Sequence, residues 1–377
     1  MATRIIKVDP DQWTAEDKAS RAALTPAVRA IRAGKLVAFP TETVYGVGVV
    51  ATDAGAVGRL RDLKARPKSA FTVHLASPAD AMKYVEDVPM RARTLMAKAW
   101  PGPVTILLPT GGRFADPSLR SGALYRRMVQ DDVVGLRCPR NPIARDLLAR
   151  AGEPVLATSA NLAGKKAPAD AEGVLKQLSD RVDVLVDSGP TRYRKGSTIV
   201  AFEGEDYRVI RSGVYDAGAV ARLMRRRILF VCTGNTCRSP MAAALARKLL
   251  AERLGCPPEK LTDCGQEVVS AGTFGFSGAR ATGEAVAAAE KRGAELSRHR
   301  SRKLTTELIN ASDLVFCMTG RHVAEVSRRA DGAAAKTYRL DPGGDIADPI
   351  GAGVDIYVQV ADRIEAALRE RMRENLL

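Results

Sequence analysis

The sequence predicts an α/β protein built from two domains. Its 377 residues exceed one ordinary domain, since a domain typically contains roughly 100 to 200 residues. Strand and helix patterns follow one another in both halves, and the alternation in the second half is typical of a doubly wound parallel sheet. An alanine-rich segment that ends in a basic run separates the halves near Arg225. We therefore predict domains at residues 1–225 and 226–377.

The composition limits which binding partners and which cellular compartment we expect for the protein. A net charge of +15 is typical of proteins that bind nucleic acid, nucleotides or anionic proteins, but it equally fits an arginine-rich surface without a partner. Six cysteines show neither the paired spacing of a zinc site nor the density of a disulfide scaffold. The N-terminus lacks a signal-peptide core, and no run of about 18 apolar residues occurs. We expect a cytoplasmic protein with reduced thiols, no metal ligands and no membrane partner.

The first half opens with a helix, a strand and a polar loop. The helix is predicted to begin at Thr25-Pro26, where a capping residue precedes a proline, and to end at Gly34. A strand from Leu36 to Phe39 then leads into PTETVYGVG, which is rich in hydroxyls. Taken alone, such a loop is more typical of an ordinary turn than of a site.

Two cations and a histidine follow this loop. The next helix stops before Pro67 and leaves Lys64 and Arg66 at its C-terminal end, where they either bind a phosphate or only complement the helix dipole. In the strand AFTVHL apolar and polar residues alternate, so His74 lies on the face opposite the core side chains. Both a surface role and a functional role stay open for His74 at this point.

Several later strands end in polar residues. GLRCP ends a strand at Arg137, and PVLATSAN ends an apolar run in Ser159 and Asn161. The paired strands GSTIVAF and YRVIRSG carry Ser197 and Arg211 near their ends. Because open α/β sheets bind ligands beside such strand ends, we expect these side chains to line a site at a sheet edge.

Together these segments resemble the YrdC-like family of threonylcarbamoyl-AMP synthases over about residues 15 to 215. The resemblance rests on PTETVYG, Lys64-x-Arg66, WPGP, Ser159-x-Asn161 and STIV followed by IRSG. It implies a twisted mixed sheet with helices for the first domain. It also implies that L-threonine, bicarbonate and ATP form threonylcarbamoyl-AMP, usually with Mg²⁺, for modification of an adenosine beside the tRNA anticodon. A tRNA or the tRNA-modifying transferase is then an expected partner.

The family pattern implies two groups of contacts. Near ATP it places Lys64, Arg66, Asn161 and Arg211. Near threonine it places Thr43, His74, Arg137, Ser159 and Ser197, with Arg137 the natural partner of the carboxylate. This chain departs from the pattern after Arg66, where Pro67–Ala70 is one residue shorter, and before Ser197, where RYRKG adds basic residues.

The second half is organised around ILFVCTGNTCRSPM, residues 228–241. An apolar strand precedes Cys232 and apolar residues at helical spacing follow Pro240, so the segment from Cys232 to Arg238 is a strand-to-helix turn. Such a turn directs backbone N–H groups and the positive end of a helix dipole at one point, which suits a phosphate dianion. The same field is expected to make Cys232 largely thiolate near neutral pH, and Arg238 can grip two phosphate oxygens.

A phosphocysteine mechanism also requires a proton donor for the leaving group and a base for water. In the glycine-rich segment DIADPIGAG, Asp348 is the first candidate and Asp345 its nearest competitor. An ordinary Asp-Pro turn is the alternative interpretation of the same residues.

From about Arg227 to the C-terminus the chain resembles the low-molecular-weight protein tyrosine phosphatases. SAGT, HRSRKL, MTGRH and an Asp-Pro pair followed by Tyr357 agree with that family. The resemblance implies that Cys232 is the nucleophile, Arg238 the phosphate clamp and Asp348 the general acid and then base, without a cofactor. The phosphate loop comprises Thr233, Gly234, Asn235, Thr236, Cys237 and Ser239.

The resemblance also implies supporting roles around this loop. Asn235 and Ser239 would hold the loop and stabilise the thiolate. Cys237 could trap an oxidised Cys232 as a disulfide, or serve only as a small packing residue. The hydroxyl of Tyr357 would border the entrance.

Thr236 bears on the choice of substrate. In the branch that removes phosphate from protein arginine the loop reads CTGNTCRSP, as here, whereas tyrosine-directed relatives commonly have a bulkier apolar residue at this position. A small polar side chain suits a guanidinium better than an aromatic ring, so the loop favours phosphoarginine. Ile350 differs from both branches, which often have an aromatic residue there.

Three hypotheses follow for the whole chain. The first is a bifunctional cytoplasmic enzyme, a threonylcarbamoyl-AMP synthase fused to a phosphoarginine or phosphotyrosine phosphatase. The alternative is an active phosphatase with an N-terminal nucleotide- or RNA-binding module that does not turn over. The third is a basic tRNA-binding protein without catalysis. The basic run at the boundary is most simply a solvated junction and otherwise a tRNA contact.

Overall fold

The computed structural model describes residues 2–14, 16–65, 70–275, 277–374 and 376–377. The chain divides into two compact units, Met1–Met224 and Arg225–Leu377. Arg66 and residues 67–69, where the chain departs from the family pattern, lie outside the described residues. Among the described helices, none combines the length and the apolar composition that a membrane span requires.

The first unit contains strands and helices in alternation. Its strands are β1 (Arg4–Lys7), β2 (Val37–Phe39), β3 (Gly46–Val50), β4 (Thr72–His74), β5 (Val104–Pro109), β6 (Val129–Gln130), β7 (Val133–Arg137), β8 (Val155–Ser159), β9 (Val184–Asp187), β10 (Thr198–Glu203) and β11 (Asp206–Arg211). Its helices are α1 (Lys18–Arg32), α2 (Ala54–Leu63), α3 (Met90–Ala99), α4 (Gly122–Met128), α5 (Pro142–Ala151), α6 (Ala171–Leu178) and α7 (Ala217–Met224).

These strands form one mixed sheet in the order β1-β9-β2-β3-β8-β4-β7-β5-β10-β11, with β6 paired to β7. Successive side chains of a strand point to opposite faces, so Val37 and Phe39 pack in one hydrophobic core and Ala38 packs in another. Both faces of the sheet are therefore covered. The mixed α/β architecture predicted for this half is confirmed.

Strand direction decides which polar strand ends meet. β4 and β7 run parallel, so His74 and Arg137 are register partners at their last residues. β8 runs antiparallel to β4, so Val155 lies opposite His74, whereas Ser159 lies opposite Gly46 of β3. Ser197 and Arg211 lie at the same end of the sheet as His74 and Arg137, because β10 runs parallel to β5 and β5 runs antiparallel to β7. The prediction that polar strand ends gather at one edge is therefore wrong for Ser159 alone among these five residues.

The first helix begins about two turns earlier than the sequence predicts. It starts at Lys18, where the Asp17 carboxylate accepts the Ser20 N–H at 2.7 Å, and Pro26 lies inside the helix. The Thr25 hydroxyl donates to the Arg21 carbonyl at 2.9 Å. Burial of an apolar helix face therefore outweighs the local Thr-Pro signal.

The second unit is smaller and its sheet is entirely parallel. Its strands are β12 (Arg226–Cys232), β13 (Gln266–Gly272), β14 (Leu314–Cys317) and β15 (Thr337–Arg339), in the order β13-β12-β14-β15. Its helices are α8 (Arg238–Leu254), α9 (Gly283–Glu290), α10 (Thr306–Asn310), α11 (Gly320–Arg329) and α12 (Val354–Arg373).

Alternate residues of β12 enter separate cores on the two faces of this sheet. Ile228 and Phe230 pack in one core, and Leu229 and Val231 pack in the other. The predicted doubly wound parallel sheet is thus confirmed. β12 lies between β13 and β14, so the loop after Cys232 leaves the sheet where neighbouring connections diverge, which is where such folds bind ligands.

Part of the basic run at the boundary between the two units belongs to a strand of this sheet. Arg226 and Arg227 are the first residues of β12. Arg227 pairs with Glu267 at 3.0 Å, and Arg226 donates to the Leu376 carbonyl at 2.7 Å. These two cations therefore serve the second unit's own structure, and the prediction of a wholly solvated junction is wrong for them.

Candidate active sites

A cavity of about 540 Å³ opens on the sheet face of the first unit. Among the residues that line it are seven of the predicted ATP and threonine contacts: Lys64, His74, Arg137, Ser159, Asn161, Ser197 and Arg211. Lys165 and Lys195 add positive charge, and the described lining residues include no carboxylate. The wall is therefore suited to an anionic ligand. Arg66 lies outside the described residues.

Lys64 joins the end of α2 to the segment after β8. Its side chain is 3% exposed, and Nζ donates to the Ser159 carbonyl at 3.0 Å and to Oδ1 of Asn161 at 2.9 Å. The Ser159 hydroxyl in turn donates to Oδ1 of Asn161 at 2.5 Å. Nζ of Lys64 also donates to the Asn161 carbonyl at 2.5 Å. A buried ammonium held by these acceptors is a fixed positive charge at the cavity wall. Residues predicted separately for ATP and for threonine thus form one cluster.

Arg137 is buried and only partly satisfied. Its Nη2 lies 2.8 Å from Oε1 of Glu42, with the hydroxyls of Thr43 at 2.7 Å and Thr41 at 3.3 Å. Nε of Arg137 is buried and has no hydrogen-bond partner within the described ranges. A buried N–H without a partner is costly, so this edge of the guanidinium is suited to accept a ligand carboxylate.

Thr43 takes a different position from the one predicted for a threonine contact. It is fully buried, and it is absent from the described cavity lining. Its hydroxyl contacts the guanidinium of Arg137 and lies 2.8 Å from the hydroxyl of Thr41. In this geometry Thr43 orients Arg137 from behind the cavity wall.

His74 lies beside Arg137 across the β4–β7 pair. Burial and the Arg137 charge lower the pKa of His74 to about 3, and Nδ1 lies 3.2 Å from the Thr72 carbonyl. The imidazole is therefore neutral near pH 7. It can exchange hydrogen bonds with a ligand, but it does not add a positive charge to the cavity.

The strands β10 and β11 bring Ser197 and Arg211 together. Arg211 donates from Nη2 to the Ser197 carbonyl at 2.9 Å and from Nε to the same oxygen at 3.2 Å. The Ser197 hydroxyl lies 3.0 Å from the hydroxyl of Thr105. The backbone of Ser197 thus holds the Arg211 guanidinium at the cavity wall.

In the second unit, the loop from Cys232 to Arg238 joins β12 to α8 as the sequence predicts. Asn235 adopts a positive φ of 56°, and its amide N–H donates to the Cys232 sulfur at 3.3 Å. Its side chain donates to the hydroxyls of Ser239 at 2.9 Å and Ser270 at 2.8 Å, and accepts the Arg302 N–H at 2.8 Å. Asn235 therefore ties the loop to both neighbouring segments.

The close packing of this loop against β13 depends on glycine. A Cβ built on Gly272 would lie 2.6 Å from the Thr233 carbonyl oxygen, too close for any side chain. The glycine of the SAGT segment therefore lets the loop pack directly on the next strand.

Cys232 is 2% exposed, and its Sγ lies 2.9 Å from the Ser239 hydroxyl. Burial raises the pKa of the Cys232 thiol, while the Ser239 hydrogen bonds, the Arg238 charge and the Asn235 N–H oppose that rise. The net direction is upward. This direction is opposite to the one expected from the loop, because full burial outweighs the groups that favour the anion.

The two candidate carboxylates occupy different places. Asp348 forms an ion pair with Nη2 of Arg238, whose Nη1 donates to the Ile346 carbonyl at 3.1 Å. Asp345 instead accepts the Gly320 N–H at 2.9 Å and lies 3.4 Å from Nη1 of Arg339. Of the two, Asp348 alone contacts the loop arginine among the described contacts, and its side chain remains 42% exposed.

The Cys237 side chain contacts α12, which begins at Val354. The Cys237 sulfur lies 3.3 Å from the hydroxyl of Tyr357, and that tyrosine is 1% exposed. The expectation that Tyr357 borders the entrance is wrong, because α12 packs its ring into the core. Thr236 is partly exposed, and Ile350 is 67% exposed. The described cysteines are all free thiols.

No role was predicted from the sequence for two histidines that lie near this loop. His299 places Nε2 2.8 Å from the Asn235 carbonyl, and His322 places Nε2 3.0 Å from the Thr233 hydroxyl. His322 lines a cavity of about 670 Å³ together with Thr233 and Arg238. Both histidines lie in motifs that carry the family resemblance, HRSRKL and MTGRH. Those motifs did not predict which loop residues the histidines contact.

Comparison with known proteins relates each unit to a separate family. The Sua5/YciO/YrdC family model, described as telomere recombination, matches residues 29–213, and the model described as low molecular weight phosphotyrosine protein phosphatase matches residues 227–376. A putative threonylcarbamoyl-AMP synthase of Mycobacterium tuberculosis is 35% identical over 53% of this chain and 88% of its own length. A protein-arginine-phosphatase of Bacillus subtilis is 40% identical over 39% of this chain and 95% of its own length.

Other relatives are longer than the matching region. The threonylcarbamoyl-AMP synthase of Bacillus subtilis is 34% identical over 50% of this chain but only 53% of its own length, and that of Pyrococcus abyssi is matched over 48% of its length. The chain thus spans about half the length of these relatives. The crystal structure of P. abyssi Sua5 complexed with L-threonine covers 71% of this chain and 92% of its own, with a TM-score of 0.51 and 22% identity, which supports the fold.

Proposed function

Because the chain belongs to the Sua5/YrdC family through its first unit and to the low-molecular-weight phosphotyrosine phosphatase family through its second, we propose that it is a bifunctional enzyme. Residues 1–225 form threonylcarbamoyl-AMP from L-threonine, bicarbonate and ATP, for tRNA threonylcarbamoyladenosine modification. Residues 226–377 remove phosphate from protein phosphoarginine, with phosphotyrosine as the second candidate substrate. The proposal rests on a cation-lined cavity in one unit and on Cys232, Arg238 and Asp348 in the other.

The buried Nε of Arg137 supports the assignment of threonine to the first cavity. A threonine carboxylate would accept from Nε of Arg137, while Glu42 and Thr43 hold the neighbouring Nη2. His74, being neutral, would exchange a hydrogen bond with the amino acid. Lys64 and Arg211 would bind the triphosphate. The carbamate oxygen would then attack the α-phosphorus, with release of pyrophosphate and no covalent enzyme intermediate.

Mg²⁺ fits this site as a companion of the nucleotide. The described lining of the cavity carries cations and neutral oxygens without a carboxylate, and no cluster of His, Cys, Asp or Glu in the described parts of the chain could hold a metal. A divalent ion would therefore be held mainly by phosphate oxygens, where it neutralises charge on the leaving pyrophosphate.

In the second unit the Cys232 sulfur would attack the phosphorus as a thiolate. The S–P bond forms as the N–P or O–P bond breaks, and Asp348 protonates the leaving nitrogen or oxygen. Asp348 then takes a proton from the water that cleaves the S–P bond. Since Asp348 is paired with Arg238 in this geometry, the substrate phosphate has to displace that carboxylate from the guanidinium before the clamp closes.

The phosphoarginine preference is supported by Thr236 and by a 40% identical relative named as a protein-arginine-phosphatase. Tyrosine-directed phosphatases share the same family, so the comparison alone does not choose between the substrates. The choice of phosphoarginine therefore depends on Thr236.

Two assays on the full chain test the proposal. Pyrophosphate release should require both L-threonine and bicarbonate, and phosphatase activity should fall by more than about 10⁴-fold in Cys232→Ser while pyrophosphate release is unchanged. Cys264→Ser, which alters a partly buried thiol outside the loop, is the matched control. ATP or tRNA binding without threonine-dependent pyrophosphate release would instead favour the alternative of a non-catalytic N-terminal module.

A further inference from the structure

A chain of three side chains reaches the phosphate loop from the start of α11. The Thr319 hydroxyl lies 2.7 Å from Nδ1 of His322, and Nε2 of the same imidazole lies 3.0 Å from the hydroxyl of Thr233. His322 is 6% exposed, so solvent does not compete with these contacts. Thr233 itself is exposed and lines the second cavity together with Arg238.

The hydrogen-bond directions in this chain follow from the N-terminus of α11. Thr319 is the N-cap residue, and its hydroxyl oxygen already accepts the backbone N–H of His322 at 3.3 Å. The Thr319 hydroxyl keeps its own proton for the 2.7 Å contact with Nδ1 of His322, and in the arrangement in which it donates this proton, Nδ1 is the acceptor. A neutral imidazole whose Nδ1 accepts carries its proton on Nε2.

Burial and the Arg238 charge lower the pKa of His322 to about 4. The ring therefore stays neutral over the physiological range, with one donor and one acceptor nitrogen. In the tautomer with the proton on Nε2, Nε2–H donates to the Thr233 oxygen, and the proton of the Thr233 hydroxyl is left to point elsewhere. Among the described residues no other side chain or backbone group is recorded as a partner of that hydroxyl.

We propose that His322 is a positioning residue that orients the Thr233 hydroxyl as a hydrogen-bond donor to the substrate phosphate, through the chain Thr319–His322–Thr233. The hydroxyl would add a side-chain donor to the backbone N–H groups and the Arg238 guanidinium of the loop. The inference rests on the proposed phosphatase function of the second unit. It assigns a substrate contact to Thr233, which the loop resemblance included only as a member of the loop.

Paired variants of the full-length protein test the chain of contacts. Thr233→Val, which keeps the shape but removes the hydroxyl, should lower kcat/KM by about 10- to 100-fold, the loss of one hydrogen bond to a charged group. It should raise the inhibition constant of orthovanadate by a similar factor. Thr233→Ser keeps the hydroxyl and is the matched control.

His322→Leu should lower kcat/KM by about tenfold and should cause no further loss when combined with Thr233→Val. His322→Gln, whose side-chain amide can still donate to Thr233, should recover most of the activity. Additive losses in the double variant would mean that His322 acts by another route, and an unrescued His322→Gln with an unchanged melting temperature would likewise overturn the proposal.

The tautomer provides a readout that a purely structural role would not move. In ¹⁵N-labelled protein the His322 ring should be neutral with its proton on Nε2, and Thr319→Val should abolish that preference, whereas Thr319→Ser should keep it. A proton on Nδ1 would make Thr233 donate to the ring instead of to phosphate and would overturn the proposal.

These measurements distinguish failure of the proposed phosphatase function from failure of the proposed Thr319–His322–Thr233 contacts. Absence of Cys232-dependent turnover on phosphoarginine, phosphotyrosine and aryl phosphate would remove the proposed phosphatase function, while the tautomer and orthovanadate binding would still test the chain of contacts. Full turnover with Thr233→Val and His322→Leu both close to the unsubstituted protein would overturn the chain of contacts and leave the phosphatase function standing.

Discussion

The two candidate sites are assembled in different ways. The phosphate loop of the second unit takes its nucleophile and clamp from seven consecutive residues, Cys232 to Arg238, between one strand and one helix. The cavity of the first unit takes its polar groups from the ends of α2, β4, β7, β8, β10 and β11. One site depends on local turn geometry and the other on how distant strands pair.

Because the two sites are assembled differently, we expect them to respond differently to substitution. In the loop, backbone N–H groups supply many of the contacts, so replacement of a single reacting side chain removes chemistry without disturbing the frame. In the cavity, Arg137 is held by Glu42 and Thr43 from a different segment, and loss of one member leaves another buried and unpaired. We therefore expect losses of turnover in the second unit and mixed losses of binding and stability in the first.

The largest expected effect within this comparison comes from Asp348→Asn. Removal of the proton donor should lower kcat for a phosphoprotein substrate by about 10²- to 10⁴-fold, with a smaller loss for an aryl phosphate whose leaving group needs little protonation. Inorganic phosphate should inhibit the variant more strongly, because Arg238 no longer pairs with a carboxylate. Asp345→Asn is the matched control, and equal losses in both variants would contradict the assignment.

In the first unit, Arg137→Lys should raise the KM for L-threonine by about 10- to 100-fold, because lysine keeps the charge but lacks the buried Nε donor. The KM for ATP should change much less. Steady-state pyrophosphate release measures both constants. Arg140→Lys is the control, since Arg140 contacts Glu42 through its backbone N–H at 2.8 Å and keeps that contact. A matching rise in both KM values would mean that Arg137 does not bind threonine selectively.

Thr236→Ile should change the substrate preference of the phosphate loop and leave the catalytic steps unchanged. The ratio of kcat/KM for phosphoarginine to that for phosphotyrosine should fall by about tenfold or more, as expected for an apolar group added to a small polar pocket. An aryl phosphate serves as a common reference substrate on the same preparation. If the ratio stays constant, the phosphoarginine assignment loses its basis in this residue.

The smallest expected effect concerns the ionisation of Cys232. Because burial raises the pKa of this thiol, its alkylation by iodoacetamide should increase with pH up to a midpoint above the ordinary thiol value of about 8.5. Ser239→Ala should move the midpoint further upward, since the Ser239 hydrogen bonds favour the thiolate. Mass spectrometry of the Cys232 peptide follows the rate. A midpoint below neutral pH would show that the loop field outweighs burial after all.

Much of the second site could be predicted because its geometry is local. A strand, a turn and a helix start are encoded within a few residues, and the structure has all three where expected. The positive φ of Asn235 within the turn was not predicted. The contact of His322 with Thr233 was missed, because it depends on where α11 packs, 89 residues along the chain. Tyr357 was misplaced for the same reason, since the face that α12 buries is decided by packing.

For the first site, the sequence predicted which residues line the cavity better than it predicted how those residues are arranged. The motifs identified seven residues that line one cavity, but they placed those residues at a sheet edge. The antiparallel direction of β8 instead separates Ser159 from His74 across the sheet face. Thr43 was expected against the ligand and lies behind Arg137, because only the folded chain brings the hydroxyl-rich loop beside the end of β7.

The two α/β halves, the phosphate loop and the identity of most cavity residues could be predicted from the sequence alone, because short-range patterning encodes strands, helices and tight turns. The tertiary structure alone decided the neutral state of His74, the upward shift of the Cys232 pKa and the pairing of Asp348 with Arg238. Those properties arise from burial and from charges that are distant in sequence, and neither exists until the sheets have formed.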